Sequence, residues 1–228
     1  MNKSERRASD VFSRRATRVL RGLLSNPGST WTVRGIAKEA NVSLGFTHAV
    51  LLTLQQQGYI TRDERYRILL VDPMRMLRRW AAYHQYTSVN KFSEYYTFDR
   101  EVEVFLKRVK KIAEEYALTS LAGAWLVAPY VRPATVDIYV PNVDASSRAA
   151  TALQLQPVEK GGNVRLVVPH DEGVFYKIQI IDQLRVVSDI QLYVDLYNYP
   201  TRGEEAAEKI LPRIEKLWLE HSLGDRGV

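Results

Sequence analysis

The stretch that decides the fold is NVSLGFTHAVLLTLQQQGYITRDERYRILLV, residues 41–71. Asn41 suits a tight turn, Ser43 is a helix-capping residue, and Val50, Leu51 and Leu54 share one helical stripe that stops at Gly58. Two short apolar runs follow, YITR and YRILLV, joined by a charged turn at Asp63 and Glu64, the pattern of a hairpin. No lysine or arginine lies between Lys38 and Arg62, so the predicted helix carries no cation. If it reads a polyanion, the charge must come from its neighbours.

Upstream, VRGIAKEA forms a second helix with Thr32 as its cap, and NPGS separates it from DVFSRRATRVLRGLLS at residues 10–25. In that first helix Phe12, Ala16, Val19, Leu20 and Leu23 form the inner stripe, while Arg14, Arg18 and Arg21 are expected on the outer face. The order helix, helix, turn, helix, hairpin is that of a winged helix-turn-helix. Through residue 85 the chain holds fifteen Lys and Arg against six Asp and Glu, a balance of +9 within an overall +6, so the remainder is −3. The N-terminal part is therefore suited to a polyanion such as double-stranded DNA. Arg14, Arg18, Arg34, Lys38, Arg62, Arg65 and Arg67 are expected to contact phosphates; Ser43, Phe46, Thr47 and His48 are expected to face base edges, with Phe46 on a thymine methyl group.

Downstream, Asp72 and Pro73 start a connecting helix through Gln85, and residues 86–98, polar and aromatic without helical period, are expected to be a junction. The second half alternates. Asp99 is expected to cap a long helix bearing Val102, Phe105, Leu106, Val109, Ile112 and Tyr116; YALT, a small-residue helix and the strand TVDIYVP follow. Gly161 and Gly162 are expected to join LQPVE and NVRLVVP as a hairpin, YKIQII adds a strand, and helices begin near Asp189 and Gly203, the last behind a Thr201/Glu204 capping box. The predicted fold is α+β, or mixed α/β. Residues 1–71 form the winged helix-turn-helix, 72–95 a connecting helix and linker, and 96–228 a mixed α/β effector domain.

No catalytic constellation emerges. Cysteine is absent, which removes disulfides, thiolate nucleophiles and cysteine-held metals, and no two of His48, His84, His170 and His221 have the i, i+4 spacing that would converge on a metal. Ser120 followed by Asp137 in a strand has the order of a nucleotidyltransferase, in which a Gly-Ser turn grips phosphate and two strand carboxylates one residue apart hold magnesium. Here Thr119 replaces the glycine and Tyr139 the second carboxylate, with Asp182 as a conceivable third-strand partner. A noncatalytic, degenerate relative of that fold is favoured over an enzyme. No cofactor is expected. No apolar run is long enough for a membrane span and MNKSERRASD lacks a signal peptide's apolar core, so a cytoplasmic protein is expected.

The run VVSDIQLYVDLYNYPTRGEEAAEKIL, residues 186–211, resembles the closing region of AbiEi-family antitoxins of type IV toxin-antitoxin, abortive-infection systems. The pattern D-x-Q-L-Y-x-D-L is matched by Asp189, Gln191, Leu192, Tyr193, Asp195 and Leu196, and R-G-x-E-A-A by Arg202, Gly203, Glu205, Ala206 and Ala207. The resemblance implies a DNA-binding repressor of its own operon whose second domain neutralises a nucleotidyltransferase-class toxin without enzymatic activity. Whether neutralisation takes a stable complex stays open. Two other readings remain: a winged-helix transcription factor with a small-molecule-sensing domain, and an active nucleotidyltransferase.

Overall fold

A computed structural model describes the backbone of residues 11–224 and the side chains of 11–220. Residues 1–10, MNKSERRASD, with Lys3, Arg6 and Arg7 of the basic tally, lie outside the described residues. The chain divides into two compact units: the residues through Tyr83 together with those from Pro212 onward, and residues 84–211.

In the first unit, α1 (Ala16–Ser25), α2 (Val33–Glu39) and α3 (Leu44–Gln56) precede strands β1 (Ile60–Arg62) and β2 (Ile68–Leu70). The expected caps form: the Thr32 hydroxyl accepts from Gly35 N at 3.0 Å and Ser43 from Phe46 N at 3.4 Å. Asn41, at φ 49°, makes the turn between α2 and α3, and Gly58, at φ 74°, ends α3. The antiparallel wing pairs Ile60 with Leu70 and Arg62 with Ile68, and a bridge from Trp31 to Ile68 adds a third edge. Asp72 caps α4 (Pro73–Tyr83) through Arg75 N at 2.9 Å. The apolar floor is Val19, Leu20, Leu23, Leu24, Ile36, Leu51, Leu54, Leu77 and Trp80, all buried. Arg21 departs from the expected outer face. It is buried, its guanidinium donates to the Thr17 hydroxyl at 2.9 Å and lies 5.0 Å from the Trp80 ring, a stacking that offsets its desolvation.

The C-terminal residues also belong to this unit. Helix α10 (Gly203–Gly224) contains Pro212, where the division falls, and from there Ile214 and Trp218 are buried. The Trp218 indole donates to the Leu24 carbonyl at 2.6 Å. That carbonyl lies in the last turn of α1, where no intrahelical donor remains for it.

The second unit is a seven-stranded mixed sheet in the order β6-β3-β7-β5-β4-β9-β8. Its strands are β3 (Lys91–Tyr96), β4 (Ala117–Thr119), β5 (Val136–Tyr139), β6 (Gln156–Pro157), β7 (Val164–Val168), β8 (Gln179–Ile181) and β9 (Leu184–Val186). The helices are α5 (Tyr86–Val89), α6 (Val102–Val109), α7 (Ser120–Val127), α8 (Val143–Ala152), α9 (Asp189–Tyr197) and the start of α10. Phe105, Leu106, Val109, Leu118, Ile138, Ala149, Leu153, Leu166 and Val186 lie in one core cluster.

Four expectations fail here. The anticipated junction, 86–98, supplies α5 and β3, with β3 antiparallel to both β6 and β7. Because β3 lies between them, LQPVE and NVRLVVP do not form a hairpin. The helix after Asp99 is short, and the Asp99 carboxylate is turned to Arg108, 2.5 Å away, and to the Thr97 hydroxyl instead of a helix end. The Thr201/Glu204 capping box does not form, since Thr201 and Arg202 sit at φ 58° and 63° whereas a capping residue needs extended backbone.

Candidate nucleic-acid interface

Helix α3 fixes the site. Along it the buried residues are Thr47, Val50, Leu51, Thr53 and Leu54; Leu44, Gly45, His48, Leu52, Gln55 and Gln56 are exposed, and Phe46 is half-buried. Thr47 is therefore withdrawn from the expected base-facing set. It is fully buried and its hydroxyl donates back to the Ser43 carbonyl at 3.0 Å, so it closes the first turn of the helix. Ser43 and His48 are exposed.

The expected phosphate contacts fall into two groups. Arg34 and Lys38, four residues apart, lie exposed on α2; Arg14 is exposed and Arg18 half-buried at the start of α1. On the wing, the Asp63 carboxylate accepts from Arg65 N at 2.9 Å and Arg67 N at 2.7 Å and so shapes the tip. Arg62 reaches from the wing to the Gln55 side chain of α3 at 3.2 Å and to the Tyr66 carbonyl at 3.4 Å, while Arg67 reaches Thr30 at 3.2 Å and Asp63 at 3.4 Å. These two brace the wing. Arg65 and Tyr66, the latter 80% exposed at φ 57°, stand at its tip. The sequence reading missed Tyr66, Leu44 and Leu52; helical phase counted from the buried residues, rather than distance from the cap, would have found the leucines.

The residues of the antitoxin motif separate by burial. Asp195 is completely buried and gathers four groups: the Thr119 hydroxyl at 2.6 Å, Gln191 Nε2 at 2.7 Å, Tyr139 OH at 3.1 Å and His84 Nε2 at 3.1 Å. It ties β4, β5 and α9 together. Asp189 accepts from Gln179 Nε2 at 2.8 Å and Tyr193 is buried. A side chain on Gly203 would strike the Leu196 carbonyl at 2.5 Å, so the turn before α10 closes only over a glycine. Arg202 and Glu205 are exposed, paired at 2.9 Å, with the Arg202 guanidinium 5.2 Å from the Tyr130 ring.

Asp137 does not face an open site. It is fully buried and held by Arg165 Nε and Nη2, both at 2.6 Å, with Tyr86 OH at 3.1 Å. Burial opposes the Arg165 charge, yet the hydrogen bonds and charge of Asp137 outweigh it and raise the guanidinium pKa; burial and then Asp137 push the Tyr86 and Tyr199 hydroxyls up as well. Asp182 is not brought to Asp137: it lies in the β8–β9 turn, with β9 and β4 between that edge and β5. Among the described residues no helix is long and apolar enough to cross a membrane.

Residues 14–64 are similar to the IclR helix-turn-helix domain, and no curated protein and no solved structure matches the chain. Residues 69–216, more than half of the chain, match the family of transcriptional regulators described as the AbiEi antitoxin of type IV toxin-antitoxin systems. The chain belongs to that family.

Proposed function

We propose that this chain is a sequence-specific repressor that binds double-stranded DNA at its own operon and serves as the antitoxin to a nucleotidyltransferase-class toxin. The observation that carries the DNA reading is the solvent face of α3, which has no Lys, Arg, Asp or Glu, together with exposed Arg34 and Lys38 on the preceding helix α2 and Arg65 at the wing tip. Phosphate contacts from the flanks set register, and an uncharged helix face is left for base edges. Ser43 and His48 keep their proposed place on that face, Arg14 and Arg18 add to the flank, and Arg62 and Arg67 act mainly by holding the wing.

Arg65→Gln is expected to weaken binding to all duplexes alike and to reduce the slope of log affinity against log salt by about 0.9, the value of one lost phosphate contact. An unchanged slope in a fluorescence titration would refute the wing-tip role. For the second unit, the family match supports an antitoxin, and the bidentate hold of Arg165 on Asp137 argues against metal-dependent nucleotidyl transfer by this chain itself. Co-expression with the product of the adjacent gene should relieve that product's growth arrest. Failure to relieve it would favour a regulator whose second unit senses something else.

A further inference from the structure

Resting on the DNA-binding reading, we infer that bases are read through one row of α3, Leu44, His48 and Leu52 with Gln55, and that Leu44 takes the thymine methyl group the sequence assigns to Phe46. At about 100° per residue, positions 44, 48 and 52 advance by only about 40° per step, and 55 returns to within about 20° of 44. All four are exposed, with Leu44 at 49% and Leu52 at 47%. Phe46 lies roughly 200° away from Leu44 by the same geometry, half-buried, and Thr47 is enclosed. Between Leu44 and Leu52, Gly45 has nothing within 4 Å of a Cβ built on it, so the backbone can come close to a groove wall.

Two large aliphatic side chains on one open row are costly in water unless something covers them. Exposed Arg34 and Lys38 on the preceding helix and Arg65 at the tip of the following wing favour a polyanion as the cover over a second protein surface. In the major groove, the partner for an uncharged aliphatic side chain is the C5 methyl of thymine. One turn further on, the His48 imidazole can present a donor or an acceptor to a purine edge.

The test uses the full chain and a duplex selected from a random pool. Each thymine of the selected site is replaced in turn by uracil, which pairs identically but lacks the methyl. The wild type is expected to lose about three- to fivefold in affinity at one position per bound unit, the worth of one buried methyl group. Leu44→Ala should bind the thymine and uracil duplexes equally while keeping the wild-type salt slope. Indifference of the wild type to every uracil, or retention of the thymine preference by Leu44→Ala, overturns the inference and leaves the DNA-binding reading intact. If Leu44→Ala and Leu52→Ala instead dissolve a dimer in sedimentation without altering base preference, the row is a protein interface and the inference fails. Absence of any salt-sensitive DNA binding by the wild type would overturn the DNA-binding reading itself.

Discussion

The hydrogen bond from Trp218 to Leu24 makes the end of the chain a structural part of the helix-turn-helix unit, and its removal has a calculable cost. The Leu24 carbonyl is buried in the final turn of α1, where an α-helix leaves its acceptors without intrahelical donors. Trp218→Phe keeps most of the ring packing and removes the indole N–H, stranding that acceptor at a cost of about 1–3 kcal/mol. Trp218→Ala also opens a cavity beside Pro27, Pro73 and Glu215, which line the adjacent 420 Å³ hollow, for a total of about 3–5 kcal/mol. In a unit of on the order of 100 residues, 1–3 kcal/mol lowers Tm by roughly 5–15 °C. The assay is thermal unfolding followed by tryptophan fluorescence in a Trp125→Phe background, because Trp31, Trp80 and Trp218, the other three tryptophans of the chain, all lie in the first unit. The signal then reports that unit alone. A chain ending at Leu211, which loses Ile214 as well, should melt below Trp218→Ala. If Trp218→Phe and the shortened chain both melt with the wild type, the C-terminal helix is not part of the unit and the reasoning is refuted.

Three further outcomes follow from the second unit. Asp195→Asn should destabilise it by about 3 kcal/mol, because an amide cannot accept from all four groups now turned toward the carboxylate; Arg202→Ala with Glu205→Ala, an exposed pair, should leave the melt unchanged, so any loss of toxin neutralisation in that double variant would locate a contact surface. Alkaline pH should unfold the unit. The Tyr86, Tyr116 and Tyr199 hydroxyls have pKa values raised by burial, so their contribution is whole below the unfolded tyrosine value of about 10 and is lost as pH rises through the folded values. Absorbance at 295 nm should show these three ionising only as the circular dichroism collapses, and a smooth ionisation ahead of unfolding would contradict their burial.

What could be read from the sequence divides along a physical line. Thr32, Ser43, Asn41 and Gly58 act on backbone within four residues of themselves, and the helix-turn-helix they delimit forms where their chemistry places it. The antitoxin motif was visible for the same reason of locality, as a pattern in one stretch of chain. What it does was not: Asp195 meets Thr119, Tyr139 and His84, residues 56 to 111 positions away, and no spacing rule connects them. Strand β3 escaped because KFSEYY has no run of β-branched residues and leaves all of its side chains at least partly exposed, while the partners that hold it, such as Arg165 over the Phe92 ring, lie far along the chain. Arg21 misled for a related reason, since a charge at the edge of an apolar stripe reads as solvent-facing until a ring 59 residues away offers a surface to stack on. Trp218 pairs with a carbonyl 194 residues earlier, a separation no local pattern could reveal. The helix that begins within the antitoxin motif at Gly203 ends in the unit that carries α3, so the two halves of the chain are joined at Tyr83 and again at Pro212. Within the first unit, the hydrogen bond from Trp218 to the Leu24 carbonyl ties the C-terminal segment to α1, which is why the melting of Trp218→Phe is the measurement that decides how far the helix-turn-helix rests on it.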